Sequence, residues 1–264
     1  MTAQAYDMAT EIAAFASCGP LRTWSVIATI MGDLLRAPED AISGRALAGL
    51  AGPMAISEQA LRVAVHRLKK DGWIESRREG RESLHLLSAR GRAETEAVRA
   101  LVYDAVGPRP EAVTLVVAPP DLTPPLMTVL PPSAMQLSTR CALVAGEKTL
   151  DRRLLAAPLH EGTLPKWVAL ALAGKPLRSE FAVLTRLTRQ ALEQLPEDPD
   201  KRLLLRLIIL HHWRRLVLRQ SPLADALLPA DWEGAQARAA VIEALERLPR
   251  IAPDALNLAL QSKG

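Results

Sequence analysis

The spacing of apolar residues changes period at Gly72, and this switch restricts the folds open to the chain more than any other feature. Upstream, Ser57 is placed to cap a helix whose Ala60, Leu61, Ala64, Val65 and Leu68 recur at three- and four-residue steps along one side. Downstream, Trp73-Ile74-Glu75-Ser76 and Ser83-Leu84-His85-Leu86-Leu87 read as two strands, with Arg77-Arg78-Glu79-Gly80-Arg81 as the turn between them. Gly72 itself suits a helix stop. Ahead of this unit, Trp24, Ile27, Ile30, Met31 and Leu34 predict a helix that ends near Arg36, before Pro38, and a short helix fits residues 44–50, closed by Gly52-Pro53. Behind it, Ser88 opens a further helix through Val98, Leu101 and Val102, ended by Gly107-Pro108-Arg109-Pro110. Three helices, a two-stranded hairpin and a helix, in that order within residues 21–103, are the plan of a winged helix-turn-helix.

The same stretch holds the chain's positive charge. The 264 residues include 33 Lys and Arg against 29 Asp and Glu, a net charge of +4. Residues 62–102 alone contain ten basic and six acidic side chains, an excess as large as that of the whole chain. It is densest from Arg62 to Arg81, with seven basic residues and three acidic ones. A compact basic island on a nearly neutral chain points to a polyanionic partner, with a solvated helix face as the alternative that charge alone leaves open.

Helix geometry narrows the choice. If Leu61, Ala64, Val65 and Leu68 face the core, then Gln59, Arg62, Val63, His66, Arg67, Lys69 and Lys70 face outward beside the capping Ser57. Gln bonds adenine in bidentate fashion, Arg does the same to guanine, and Val63 suits a thymine methyl. Arg77, Arg78 and Arg81, expected at the turn, suit phosphates. The residues expected to bind double-stranded DNA are therefore Ser57, Gln59, Arg62, Val63, His66, Arg67, Lys70, Arg77, Arg78 and Arg81. His85 is expected on a sheet face rather than on a base.

The rest of the chain is less sharply marked. Its length suggests two domains or three small ones, at about 100–200 residues each. Residues 1–20 lack strong periodicity and read as a frayed tail or a loose leading helix. Residues 112–117 form a β-branched run that predicts a buried strand, 121–130 a short helix, and 135–144 a second strand. After Leu150 the pattern is helical throughout: 166–173, 178–195, 201–219 and 235–248. Aromatic side chains are so scarce, at 3%, that Trp167 and Trp213 are each expected to anchor a core.

Several functions find no support. Two cysteines, Cys18 and Cys141, allow neither a disulfide framework nor a multi-cysteine zinc site, and they fit a reducing cytoplasm. The first twenty residues carry no Lys or Arg, so a basic signal-peptide start is missing, and no apolar run nears the roughly 20 residues of a membrane span. A cytoplasmic protein with no membrane partner is expected. No nucleophile elbow, phosphate loop or paired-histidine metal motif is present, so no enzyme, cofactor or metal is expected. Adjacent His211 and His212 project about 100° apart on a helix and do not readily share a metal. One is expected in the core or an interface and the other toward solvent.

Two blocks carry a resemblance to a known family. The first runs from Ile30-Met31-Gly32-Asp33 through Ile56-Ser57-Glu58-Gln59-Ala60-Leu61-Arg62 to Arg67-Leu68, Gly72-Trp73 and Arg77-Arg78-Glu79-Gly80-Arg81. The second is Leu210-His211-His212-Trp213-Arg214-Arg215, with Leu223 to Leu228, Pro229-Ala230-Asp231-Trp232 and Ala237-Arg238. Together they resemble the PaaX-like regulators, the phenylacetate-catabolism repressors. The resemblance implies a homodimeric repressor on a palindromic operator, released by an aryl-acyl-CoA thioester such as phenylacetyl-CoA. It also implies a central ferredoxin-like domain and a helical C-terminal domain; the stretch 110–150 is shorter and richer in proline than that family's usual centre, and Ser221 stands where its pattern has Asp. Under this reading His211, Arg214, Arg215 and Trp232 are the candidate effector residues, because guanidinium forks suit phosphates. Arg214, Arg215 and Arg219 pairing with Asp225, Asp231 or Glu233 is the structural alternative, and Asp231 is a candidate cap for the helix after Trp232.

The expected architecture is thus α+β and mostly helical. Residues 21–105 form the winged helix-turn-helix, 110–150 a small central α/β piece, and 151–264 a helical domain for dimerisation and effector binding. A winged-helix protein-interaction module and a CoA-thioester enzyme with a vestigial DNA-binding domain are the alternatives.

Overall fold

Asp7 opens the first helix of the computed structural model, which describes residues 7–80, 82–146, 149–159 and 164–261. Its carboxylate accepts from the Ala9 amide at 3.0 Å and starts α1 (Met8–Phe15), which runs into a 3-10 turn at Ala16–Cys18. Met8, Ile12, Phe15 and Cys18 are all buried. The first residues are therefore neither a tail nor a loose helix. Their apolar side is only two turns long, too short to stand out in sequence, yet it packs on two helices from the far end of the chain.

Three serines organise the next module. Helix α2 (Thr23–Leu34) leads to β1 (Ile42–Ser43), α3 (Gly44–Ala51), α4 (Glu58–Lys70), β2 (Ile74–Glu79) and β3 (Glu82–Leu87). Ser43, Ser57 and Ser88 accept from the amides of Ala46, Ala60 and Gly91 at 3.1, 3.2 and 3.0 Å. Each such cap stabilises its helix by about 1 kcal/mol. Gly72, at φ +68°, turns the chain out of α4 in a backbone conformation that favours glycine. Strand β3 lies between β1 and β2, antiparallel to both, with Ile74 opposite Leu87 and Glu79 opposite Glu82. Arg77 and Arg78 thus belong to a strand and not to the turn, because the ladder continues to Glu79. Arg81 lies outside the described residues. Gly91, whose amide Ser88 caps, has a steric basis: a Cβ there would lie 2.0 Å from the Trp73 carbonyl oxygen. The helix after Ser88 is two pieces, α5 (Ala89–Ala97) and α6 (Arg99–Tyr103), broken at Val98.

The centre is a four-stranded antiparallel sheet. It contains β4 (Val113–Val117), α7 (Leu126–Val129), β5 (Met135–Ser138), β6 (Cys141–Ala145) and β7 (Leu155–Pro158), in the strand order β5-β6-β4-β7. The stretch 135–144 is a hairpin rather than one strand, since Thr139 and Arg140 turn the chain back on itself. Strand β7 corrects the all-helical reading after Leu150: it is short, fully exposed and ends on Pro158, so it has no alternating pattern to read. Val116, Ala118, Leu126, Leu130, Ala142, Val144 and Leu154 make a small core of their own.

The remainder is helical: α8 (Lys166–Leu172), α9 (Lys175–Glu193), α10 (Pro199–Val217), α11 (Ala224–Leu227), α12 (Glu233–Arg247) and α13 (Pro253–Gln261). Helix α10 is apolar on nearly every side and is accordingly buried, with α1, α2, α6, α9 and α12 packed around it. Trp213 is fully buried, but Trp167 is 57% exposed and anchors no core. Helix α13, which sequence periodicity did not predict, leaves the bundle and packs on α3 and β1. Its Asn257 accepts from the Ser43 amide at 2.9 Å and donates to the Ala41 carbonyl at 3.0 Å, giving β1 the pairing a further strand would supply. The two ends of the chain are exchanged: α1 belongs to the C-terminal bundle and α13 to the N-terminal module. Among the described residues, no helix is long and apolar enough to cross a membrane.

One buried ion pair fixes the module on the bundle. Arg206 of α10 meets both carboxylate oxygens of Asp33 at 2.7 and 2.9 Å, and its remaining nitrogen donates to the carbonyls of Leu245 and Leu248. The Tyr103 hydroxyl donates to the same carboxylate at 3.0 Å. Asp33 ends the opening string of the first sequence block, so that string's last residue is held by the C-terminal half of the molecule.

Candidate nucleic-acid interface and adjoining cleft

Helix α4 buries Leu61, Ala64 and Leu68 and half-buries Val65, as its spacing requires. Ser57, Gln59, Arg62, Val63, His66, Arg67, Lys69 and Lys70 are all exposed, Val63 to 64%. An isolated valine so exposed on a well-packed helix has no role in the core. The basic groups are only lightly held. Arg62 lies 4.0 Å from Glu58 and Arg67 3.8 Å from Asp71, both one turn apart on the open surface, where such pairs are worth little and exchange readily for another anion.

The hairpin extends this surface. Arg77 and Arg78 are exposed on β2, next to one another and so on opposite faces of the strand. His85 lies inside the sheet, with its Nδ1 2.8 Å from the Ser76 hydroxyl oxygen. Burial, then Lys69, lowers its pKa, which keeps the ring neutral. It lies on a face of the sheet, as expected of it. A groove of about 480 Å³ runs beside α4, lined by Thr23, Trp24, Ser57, Gln59, Val63 and Arg67.

A second cleft, of about 730 Å³, opens behind that groove where the loop after α1 meets the end of α10. Its walls include Arg22, Trp24, Arg214, Arg215, Arg219 and Glu180. Arg215 and Arg219 reach Glu180 at 2.8 and 3.2 Å, so their carboxylate comes from α9 and not from Asp225, Asp231 or Glu233. Burial works against the Glu180 carboxylate, but hydrogen bonds from Arg215 and Arg219 outweigh it and hold its pKa below the usual range. Arg215 also donates to the Cys18 carbonyl, a contact allowed by Gly19, where a Cβ would meet the guanidinium carbon at 2.8 Å. The Cys18 thiol lies in the same wall and is pushed up to about 11 by burial, which leaves it protonated. Trp24, expected on the buried stripe of α2, is 46% exposed and separates the two clefts.

The four effector candidates therefore divide. Arg214 and Arg215 line the cleft, whereas His211 and Trp232 lie in the core behind it. Both histidines are buried, a correction to the expected inside-and-outside pair. His211 Nδ1 sits 3.4 Å from the Thr29 hydroxyl, and His212 stacks on Phe15 at 6.2 Å between centroids. Helix α1 covers the side of α10 that would otherwise meet solvent. Trp232 donates from Nε1 to Asp225 at 3.2 Å and packs edge-on against Phe181. It also occupies the cap position before α12 that was expected of Asp231, without a side-chain cap. Asp225 accepts from Arg238 at 2.8 Å, and Arg238 reaches the carbonyls of Leu101 and Asp104 while covering the Trp213 ring. Trp213 itself donates to the Val102 carbonyl at 2.8 Å. The second sequence block thus builds a joint that seizes α6.

Sequence reading missed Glu180, Arg22 and Asn257. Glu180 and Asn257 act across more than thirty and two hundred residues respectively, and no local spacing marks such partners. Arg22 had a faint signal, being the sole basic residue in the first thirty-five.

Comparison with known proteins agrees with the two blocks. The chain is 27% identical to the transcriptional repressor PaaX of Escherichia coli (strain K12), over 90% of this chain and 83% of that protein. It also resembles in fold an uncharacterized protein, Rv0674, from Mycobacterium tuberculosis, with a TM-score of 0.50, 18% identity, and coverage of 90% of this chain and 99% of the other. The profile of the PaaX-like protein matches residues 22–91, and that of the PaaX-like protein C-terminal domain matches residues 175–257. With one match on the module that carries α4 and the other on the bundle that carries the joint, the chain belongs to the PaaX-like family.

Proposed function

We propose that this protein is a sequence-specific, DNA-binding transcriptional repressor. The observation that carries this reading is the surface of α4: Gln59, Arg62, Val63, His66, Arg67 and Lys70 are all exposed, beside a hairpin that presents Arg77 and Arg78. In this reading residues 21–105 are a winged helix-turn-helix. Helix α4 enters the major groove, Gln59, Arg62 and Val63 read base edges, and Ser57, His66, Arg67, Lys70, Arg77, Arg78 and Arg81 meet the backbone. The E. coli relative is named as a transcriptional repressor, which favours this assignment over a protein-binding module or a CoA-thioester enzyme.

The central sheet, in its strand order β5-β6-β4-β7, is in this reading a ferredoxin-like unit that lacks its second crossover helix. The protein acts as a homodimer on a palindromic operator, joined through its C-terminal region, with half-sites about 34 Å apart or a multiple of that. An acyl-CoA, of which phenylacetyl-CoA is the first to try, releases it by favouring a geometry in which the two α4 helices no longer match those half-sites.

The test is fluorescence anisotropy on the DNA upstream of the protein's own gene, with and without phenylacetyl-CoA. Tight binding that prefers this DNA over random duplex and is lost with the thioester is expected. Failure to retain any duplex, at any salt concentration, would transfer the reading to the protein-interaction module. Hydrolysis or transfer of the thioester by the pure protein would point to an enzyme.

A further inference from the structure

The cleft behind α4 contains four guanidiniums and one carboxylate. Glu180 engages Arg215 and Arg219, which would suffice to staple α9 to α10 and calls for no ligand. Arg22 and Arg214 are different. Neither pairs with a carboxylate among the described residues, although Arg214 is half-buried in the cleft wall and burial lowers its pKa. An unpaired guanidinium held in a concave wall is costly unless an anion visits it. The cleft also has an apolar side, formed by the Trp24 ring and Leu218, which are 46% and 39% exposed. Charge on one wall and a flat apolar surface on the other define the class of molecule that fits.

Trp24 has a second neighbourhood. The same ring lines the groove of Gln59, Val63 and Arg67 beside α4. Helix α2, which carries it, is fixed at its other end by the Asp33–Arg206 pair and packs along both α4 and α10. With that far end fixed, the groove beside α4 is the other neighbourhood open to a displaced Trp24 ring.

We propose that this cleft binds a phosphate-bearing ligand with an aromatic or acyl portion, and that Trp24 transmits its occupancy to α4. Arg22 and Arg214 take the phosphates, Arg215 is positioned by Glu180 and the Cys18 carbonyl to support them, and the apolar portion lies on Trp24 and Leu218. The ring then presses into the groove beside Gln59 and Val63 and spoils the fit of α4 to DNA. This rests on the regulator reading above and adds to it a site and a route.

The experiment uses the full chain and three probes: phenylacetyl-CoA, coenzyme A and phenylacetate. Calorimetry should show the thioester binding most tightly, coenzyme A more weakly, and phenylacetate not measurably. Arg22→Ala and Arg214→Ala should each weaken the thioester by about tenfold or more while melting as the parent does. Arg22 is exposed, so its variant keeps the test meaningful if Arg214→Ala fails to fold. For the route, the ratio of DNA affinity without and with phenylacetyl-CoA is compared between the parent and Trp24→Phe. The ratio should fall by about tenfold in the variant, with thioester still bound. Parent-like thioester binding in both arginine variants would place the ligand elsewhere and overturn the site while leaving the repressor reading intact. An unchanged ratio in Trp24→Phe would overturn the route. If the parent binds none of the probes yet still selects its upstream DNA, the site fails alone; if it also fails to select that DNA, the repressor reading fails with it.

Discussion

Arg62 and Asp33 are one helix apart and show two opposite uses of a charged side chain. Arg62 is held by a 4.0 Å pair with the Glu58 carboxylate and a long 3.4 Å bond to the Glu58 carbonyl, both on the open surface, so its removal costs the fold little. If it reads a guanine, Arg62→Ala should weaken operator binding by about 1–3 kcal/mol and relax base preference at one position. Competition between operator and random duplex measures this; equal weakening on both would rule out base reading. Asp33 is fully buried against Arg206 and Tyr103. Asp33→Ala strands a buried guanidinium and should cost about 3–5 kcal/mol in urea unfolding. A loss under about 1 kcal/mol, the scale of a surface pair, would show that the Leu245 and Leu248 carbonyls hold Arg206 unaided. The exposed face of α4 was legible from sequence because a 3.6-residue period fixes which side chains face out. The partner of Asp33 was not, because an ion pair 173 residues apart leaves no local trace.

At the scale of elements, the hairpin and α10 make separable predictions. Arg78 projects from a strand whose ladder runs to Glu79, so its position is set by the sheet and not by a mobile turn. Arg78→Ala should weaken specific and random duplex alike and flatten the salt dependence of log K by about one. A change confined to one sequence would make Arg78 a base reader. Helix α10 carries two neutral histidines in the core. Burial, with Arg214 and Arg215 adding to it, lowers His211 to about 4, while burial, His211 and Arg215 lower His212 to about 3. Unfolding releases both toward the ordinary 6.5, so the unfolded chain binds more protons below that pH. Their contribution is intact above pH 6.5 and is lost progressively as the pH falls toward 4. The melting temperature should therefore fall over that window, and His212→Leu, which removes a ring with no hydrogen-bond partner, should flatten the fall. An unchanged acid limb would assign it to other groups. Sequence reading placed α2, α3, α4, β2, β3 and the long C-terminal helices well, since each has a cap or a sustained period. It missed β7 and α13 and left α1 as a tail or loose helix, because these short segments acquire meaning only from what they pair with or pack on.

At the scale of the whole molecule, the exchanged ends decide how the N-terminal module is held. Asn257 supplies both hydrogen bonds that β1 lacks on its outer edge. Asn257→Ala leaves the Ser43 amide and the Ala41 carbonyl unpaired and should cost about 1–3 kcal/mol. Hydrogen exchange checks it directly: the Ser43 amide should lose protection while amides of the central sheet keep theirs, and uniform loss would mean global unfolding instead. The exchange also bears on how the protein is made. A ribosome delivers α2, α4 and the hairpin well before α10, with the Arg206 that Asp33 awaits, and before α13. A copy that has emerged only through the hairpin thus carries α4 in a module that still lacks its contacts with α10 and α13. A copy cut short before Asn257 would lack the contact that braces β1, so a loss late in the chain would be felt in its first module.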